Sequence, residues 1–170
     1  WTCLEVEKLL GDLEDFYNVN TDGSTFYCMQ PLVVFFNKEQ DAWEVIDGQQ
    51  RLTTMYLILN QQKGLLEQIY PDMKLFNLSY QSRPDSRQYL ENIDSTKSNS
   101  NIDYYHMFNA SAVITDFLKK TTLGGWRFVD AIVNANNMES RPSVKFIWYN
   151  VTEEIESKHI SPEEKFSDLN

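Results

Sequence analysis

The sequence has little that would tie the chain together covalently or around a metal. Among 170 residues there are 2 cysteines and 2 histidines. Cys3 and Cys28 are too few and too scattered for a disulfide framework, so they read as reduced thiols of a cytoplasmic protein. There is no Cys-x-x-Cys, and His106 and His159 stand alone, so no zinc pattern is offered. His106, amid aromatics, reads as a packed or surface histidine rather than a general base. Positive charge is also scarce: 15 Lys and Arg against 25 Asp and Glu give a net charge of −10. Non-specific DNA binding relies on clustered Lys and Arg neutralising phosphates, so this is a poor surface for it. No stretch of about 18 apolar residues and no signal-peptide pattern occurs, so a soluble, non-exported product without a membrane span is expected.

What is present is enough for a core. Hydrophobic residues make up 42% and aromatics 14%, which argues against disorder. The length fits one domain, or a small domain plus a helical subdomain. Asn77, Asn109 and Asn150 begin Asn-x-Ser/Thr sequons, but in an Asn-rich chain these carry no weight.

The stretch that organises the chain is Asp47 to Leu59, DGQQRLTTMYLIL. Trp43 to Ile46 reads as a strand. Leu52, Met55, Tyr56 and Leu59 recur at i, i+3, i+4 and i+7, the spacing of one buried helix face. A strand therefore runs into a helix through a tight turn at Asp47-Gly48. Arg51 is oddly placed, because a helix N-terminus carries about +0.5 of a charge and favours anions. A bound phosphate would satisfy both the arginine and the N–H groups of Gly48 to Gln50 that precede the helical ladder. On a helical wheel Gln50 and Thr54 face away from the apolar stripe, and Arg51 lies on its flank. The same residues also suit a plain capped helix: Asp47 and Gln50 as a capping-box variant, Gly48 as turn relief, and Arg51 paired with Asp47. The residues alone leave both readings open.

The rest of the chain reads as follows. Thr2-x-x-Glu5 is a capping-box pattern, followed by Cys3, Val6, Leu9, Leu10, Leu13 and Phe16 at helical spacing. Glu5, Glu7, Asp12, Glu14 and Asp15 read as its solvated face rather than a metal cluster. Phe26 to Phe36 reads as a strand in which Pro31 implies an edge, a bulge or a break. With Trp43 to Ile46 it forms an antiparallel hairpin across Asn37 to Asp41. The signature helix is expected to run to Glu67 or Tyr70, with Gly64 weakening its last turns and Pro71 closing it. Leu75 to Tyr80 reads as another strand, and Ser86 as the cap of a short helix from Arg87 to Ile93. The polar run Asp94 to Asn101 marks the expected boundary between a domain at 1–93 and a helical subdomain at 102–170. Helices are expected over Ile102 to Lys120 and from Trp126 to Val133, ending before Asn134 to Asn137. Val144 to Tyr149 reads as a strand returning to the first sheet. Ser161-Pro162-Glu163-Glu164 is a helix start. The fold class is α+β, a small mixed sheet packed against a helical subdomain.

VIDGQQRLTT resembles the signature of the DGQQR family, the N-terminal domain of GmrSD-type modification-dependent restriction proteins. The likeness extends beyond the signature. Trp1 with Val6, Leu9, Leu10 and Asp12 is similar to the family's first helix, which follows a Gln-Arg-x-Tyr-x-Trp segment. Leu78-Ser79-Tyr80, Arg83, Asp85-Ser86 and Leu90 resemble its next strand and helix, and Val144 to Tyr149 its late strand. Phe166 to Asn170 resembles the start of a further motif, so a fragment of a longer protein is expected. Where the family's early strand usually ends in a Gly-Ser pair, this chain reads Met29-Gln30-Pro31.

The resemblance implies a ParB/sulfiredoxin-like fold and NTP hydrolysis with Mg²⁺, coupled to cleavage of modified phage DNA. DNA would then be engaged through the full-length protein and cut by a C-terminal or separate nuclease domain, with a homodimer as one expected assembly. In that reading Asp47, Gln50 and Arg51 are the catalytic candidates, with Asp47 also the candidate metal ligand. Gly48, Gln49, Thr53, Thr54 and Arg83 are the candidates for holding the nucleotide. Two alternatives remain at this point: a direct ParB-like DNA nuclease, and a non-catalytic module that binds a phosphate or nucleotide.

Overall fold

The computed structural model describes residues 2–80, 85–133 and 142–158. Arg83, His159, Asn134 to Asn137 and the helix start expected at Ser161 lie outside them, as do Trp1 and Phe166 to Asn170. The architecture is α+β. In chain order the elements are α1 (Cys3–Val19), β1 (Phe26–Asn37), β2 (Ala42–Asp47), α2 (Gln49–Asn60), α3 (Lys63–Ile69), α4 (Ser86–Glu91), a 3₁₀ turn (Ser95–Lys97), α5 (Ile102–Lys120), α6 (Gly125–Val133), β3 (Ser143–Asn150) and α7 (Thr152–Lys158). The chain forms two compact units. One comprises Trp1–Tyr27 with Thr53–Val144, the other Cys28–Leu52 with Lys145–Asn170.

The first unit is helical, built on α1 against α5 and α5 against α6. At the start of α1 the Thr2 N–H donates to the Glu5 carboxylate at 2.5 Å, the reciprocal half of a capping box. Val6, Leu9, Leu10, Leu13 and Tyr17 bury one face of α1. Met107, Ala110, Ile114 and Leu118 do the same for α5, and Phe128, Val129 and Ile132 for α6. Phe128 is fully buried and meets Phe117 edge-on at 5.0 Å and Tyr17 at 6.4 Å. The Asn101 carboxamide caps α5 by accepting the Tyr104 N–H at 2.9 Å. Both ends of α5 fall where its periodicity predicts.

Four sequence expectations are corrected in this unit. The helix after the signature is broken: the Gln62 N–H bonds the i−3 carbonyl of Leu59 at 3.1 Å, and α3 restarts at Lys63. Nor does α2 bury a single stripe. Thr53 to Ile58 are all buried, whereas Leu52 and Leu59 are only half-buried. A helix enclosed on every side belongs to a core, where the period of polar and apolar residues no longer marks one face. Residues 75–79 form no strand, and Tyr80 makes only an isolated bridge. The aromatic residues that suggested a strand are engaged with α2 instead: Phe76 meets the Tyr56 ring at 5.5 Å, and the Tyr80 hydroxyl bonds Thr53. Finally, Ser86 lies inside α4, fully buried, and Asp85 occupies the cap position.

Among its described residues the second unit holds a three-stranded sheet in the order β2-β1-β3. In the hairpin, the Asn37 carboxamide oxygen accepts the N–H groups of Glu39 and Gln40 at 3.0 and 3.2 Å, the local bond that makes Asn a turn residue. The antiparallel register pairs Asn37 with Ala42, Phe36 with Trp43 and Val34 with Val45, then slips so that Val33 faces Asp47. Ile46 is therefore an extra residue on β2, a bulge placed directly before the signature. Pro31 lies beyond the β2 ladder, where its missing N–H breaks no bond to β2. Past β3 the chain stays joined to β1: the Val151 N–H donates to the Val34 carbonyl at 2.9 Å, and the Phe36 N–H to the Thr152 hydroxyl at 2.8 Å. Val34, Val151 and Ile155 are buried.

Glu14, which the pattern of α1 places on a solvated face, holds the turn between α5 and α6. Its carboxylate accepts from the Thr121 hydroxyl at 2.5 Å, the Thr122 N–H at 2.7 Å and the Thr122 hydroxyl at 3.0 Å. These bonds, the Thr121 hydroxyl first, hold the Glu14 carboxyl below its usual value of 4.5 against the opposing effect of burial. A depressed carboxyl contributes stability that is complete above the unfolded-state value and is lost as pH falls through the folded-state value. Glu14→Ala is expected to lower stability by about 1 kcal/mol at pH 7. Urea unfolding should show that difference shrinking below pH 4.5.

Candidate functional site

The candidate site is the junction of β2 and α2. The strand ends at Asp47 and the helix begins at Gln49, so one residue makes the whole turn. Gly48 has φ +92°, in the left-handed region. A Cβ there would lie 2.5 Å from Leu32 Cδ2, 3.0 Å from Arg51 Nη2 and 3.2 Å from the Pro31 carbonyl oxygen. Both the conformation and the space require glycine. The first helical bond of α2 runs from the Leu52 N–H to the Gly48 carbonyl at 3.0 Å. The bulge at Ile46 pairs Asp47 with Val33, on the face opposite the Val34–Val45 pair. Gln49 reaches back along the strand, its Nε2 donating to the Val45 carbonyl at 2.8 Å. Gln50 is exposed, and the Asp47 side chain is half-exposed.

Arg51 turns inward. Its Nη1 donates to Gln30 Oε1 at 2.8 Å and its Nη2 to the Pro31 carbonyl at 2.7 Å. Nη2 also lies 3.3 Å from Asp47 Oδ2. The side chain is 15% exposed, and its Nε is buried with no hydrogen-bond partner among the described residues. The acceptors that offset a cation at a helix start thus come from within the protein, two of them from β1. Gln30, Pro31 and Leu32 were not singled out from the sequence as site residues. Their signal was the proline in a strand, together with the departure from a Gly-Ser pair at that point.

Thr53 and Thr54 follow on the same helix but belong to the first compact unit. Both are buried. The Thr53 hydroxyl bonds the Tyr80 phenol, whose acidity is weakened by burial against the opposing effect of that bond. Thr54 is 1% exposed, although the helical wheel places it away from the apolar stripe.

The whole chain, residues 1–170, matches the family described as GmrSD restriction endonuclease, N-terminal domain. The chain belongs to that family. No curated protein and no solved structure matches it. As a GmrSD-type domain it is part of a restriction endonuclease, and no helix among its described residues is long and apolar enough to cross a membrane.

In this GmrSD-type domain the DGQQR residues have a clear structural task. They close a one-residue turn and fasten a helix start to β1. Gly48→Ala is expected to cost about 2–3 kcal/mol through backbone strain and the displacement of Leu32. Arg51→Ala is expected to cost about 1.5–3 kcal/mol, because it removes two charge-assisted bonds and leaves their acceptors unmet. Denaturant midpoints of both variants beside wild type measure these losses. A Gly48→Ala protein as stable as wild type would contradict the geometry at the turn.

Proposed function

We propose that the Asp47–Arg51 junction binds the phosphates of a nucleoside triphosphate and supports its hydrolysis, within a modification-dependent restriction protein. The observation that carries this reading is the chemistry gathered at one helix start. The half-exposed Asp47 carboxylate lies 3.3 Å from the Arg51 guanidinium, and the exposed Gln50 amide and the N–H groups preceding the first helical bond belong to the same helix start. A helix N-terminus offers partial positive charge and donors, the combination a phosphate requires.

In this mechanism the N–H groups of Gly48 to Gln50 hold a phosphate, with Gln49 completing the turn. Gln50, on the exposed side, orients the attacking water, and the Asp47 carboxylate accepts its proton. Arg51 acts from behind. Its guanidinium is committed to Gln30, Pro31 and Asp47, so it stabilises developing charge through its field. Asp47 is also the residue that would hold a Mg²⁺ arriving on the phosphates, an ion that supplies charge neutralisation. One carboxylate suits that ion, since Mg²⁺ is commonly held by one or two carboxylates plus the substrate's own phosphates. A ParB-like origin of the strand-to-helix junction belongs to the same reading.

A second reading is a module that binds a phosphate or nucleotide without turnover. It is favoured by the inward turn of Arg51, which leaves 15% of that side chain exposed. Phosphate release from GTP, ATP, CTP and UTP with Mg²⁺ separates the two. Asp47→Asn and Gln50→Ala are the informative variants, because neither residue is buried and both should leave the fold intact by circular dichroism. Each is expected to lower turnover by about 100-fold. Turnover unchanged in both variants would overturn the catalytic assignment. Nucleotide binding without release in wild type would establish the second reading.

A further inference from the structure

The first unit contains a half-open cavity of about 510 Å³ that the junction chemistry does not use. It lies between the C-terminal end of α2, the residues after α4 and the middle of α5. Its volume falls in the range of small-molecule sites.

The lining divides into two kinds of surface. Leu57, Ile93 and Phe108 provide apolar area, including one aromatic ring. Asn60, Gln61, Ser111 and Thr115 provide polar atoms, and their existing bonds fix what remains. Asn60 Nδ2 donates to the Leu90 and Glu91 carbonyls at 3.2 and 3.3 Å, which leaves Oδ1 as an acceptor. Gln61 Nε2 donates one N–H to Ser111 Oγ at 2.8 Å, which leaves its second N–H as a donor, Gln61 Oε1 as an acceptor and the Ser111 hydroxyl hydrogen as a donor. The Thr115 hydroxyl donates to the Ser111 carbonyl at 2.8 Å, so its oxygen can still accept. The cavity thus keeps three acceptors and two donors beside an apolar wall. Among the described residues no charged side chain lines it, so none of them there would offset an anion.

We infer that this cavity binds an uncharged planar heterocycle with N–H donors beside an acceptor, the chemistry of a nucleobase edge. Side-chain amides are suited to such an edge because one group offers both a donor and an acceptor in a plane. Phe108 and the aliphatic side chains would cover the ring face, since every base has an apolar face to bury. The inference does not rest on phosphate chemistry at the junction, and phosphate-free probes test it alone.

The experiment titrates adenosine, guanosine, cytidine and uridine into the ¹⁵N-labelled chain. At least one nucleoside is expected to bind in the millimolar range or tighter, shifting the backbone amides of Ser111, Ala112 and Thr115. Ala112 sits exposed at the rim, so Ala112→Phe should block the opening while the fold stays intact. It is expected to abolish binding. Ser111→Ala removes one of the two donors and should weaken binding about fivefold. No binding by any nucleoside, shifts confined to Gly48–Gln50, or undiminished binding by a folded Ala112→Phe protein would each overturn the proposal. If Ala112→Phe fails to fold, the location of the wild-type shifts decides.

Discussion

The junction depends on a turn made by one residue. A strand and a helix joined through Gly48 alone must reverse the backbone within one φ/ψ pair, and φ +92° is the result. The space a side chain would occupy is filled by Leu32, the Pro31 carbonyl and Arg51. β1 can therefore approach the helix start closely enough for its backbone and Gln30 to receive the guanidinium. The bulge at Ile46 is part of the same arrangement. In a regular ladder Asp47 would pair with Leu32 and share the face of Val45; with the bulge it faces Val33, and its carboxylate lies 3.3 Å from the arginine.

That geometry resolves the electrostatic oddity of a cation in the first turn of a helix. The partial charge there disfavours Arg51 by a fraction of a kcal/mol up to about 1 kcal/mol. Two bonds to oxygen acceptors and a neighbouring carboxylate more than offset this, since bonds to a charged group contribute about 1.5–3 kcal/mol. An incoming phosphate would not find a free arginine. It would meet backbone donors and amides first, with the guanidinium fixed beneath them. Fixed charge of this kind needs no rearrangement when a reaction builds negative charge, which is why a buried, tethered arginine is compatible with catalysis as well as with scaffolding.

The sequence revealed most where periodicity and punctuation agree. The polar run ending at Asn101 and the spacing of Tyr104, Tyr105, Phe108, Val113, Ile114, Phe117 and Leu118 place both ends of α5, and the hairpin follows from aromatic and β-branched runs around Asn37 to Asp41. It failed where tertiary contacts override local pattern. Phe76 and Tyr80 alternate like strand residues, yet their rings and hydroxyls are engaged with α2. Thr54 looks polar on a wheel, yet α2 is enclosed on all sides from Thr53 to Ile58. At the junction, the roles of Asp47, Gly48 and Arg51 were foreseeable as a pairing and a turn. The partners Gln30 and Pro31 were not, because about twenty residues separate them from Arg51 and only the sheet brings them near.

Charge distribution decides what kind of ligand each part of the chain can take. A net charge of −10 opposes any extended polyanion, because its phosphates would face unneutralised carboxylates along most of the surface. In the proposed reading a compact anion avoids that cost by entering at the helix start, where backbone donors lie within one turn of a tethered guanidinium. The cavity between α2 and α5 offers neither, and its amides and hydroxyls favour an uncharged edge. Polar groups without charge discriminate well between hydrogen-bonding patterns, since a wrong edge leaves a buried donor or acceptor unmet at about 1–3 kcal/mol. In the two proposals, charge at the junction and uncharged pattern in the cavity are separate means of recognition, each testable without the other.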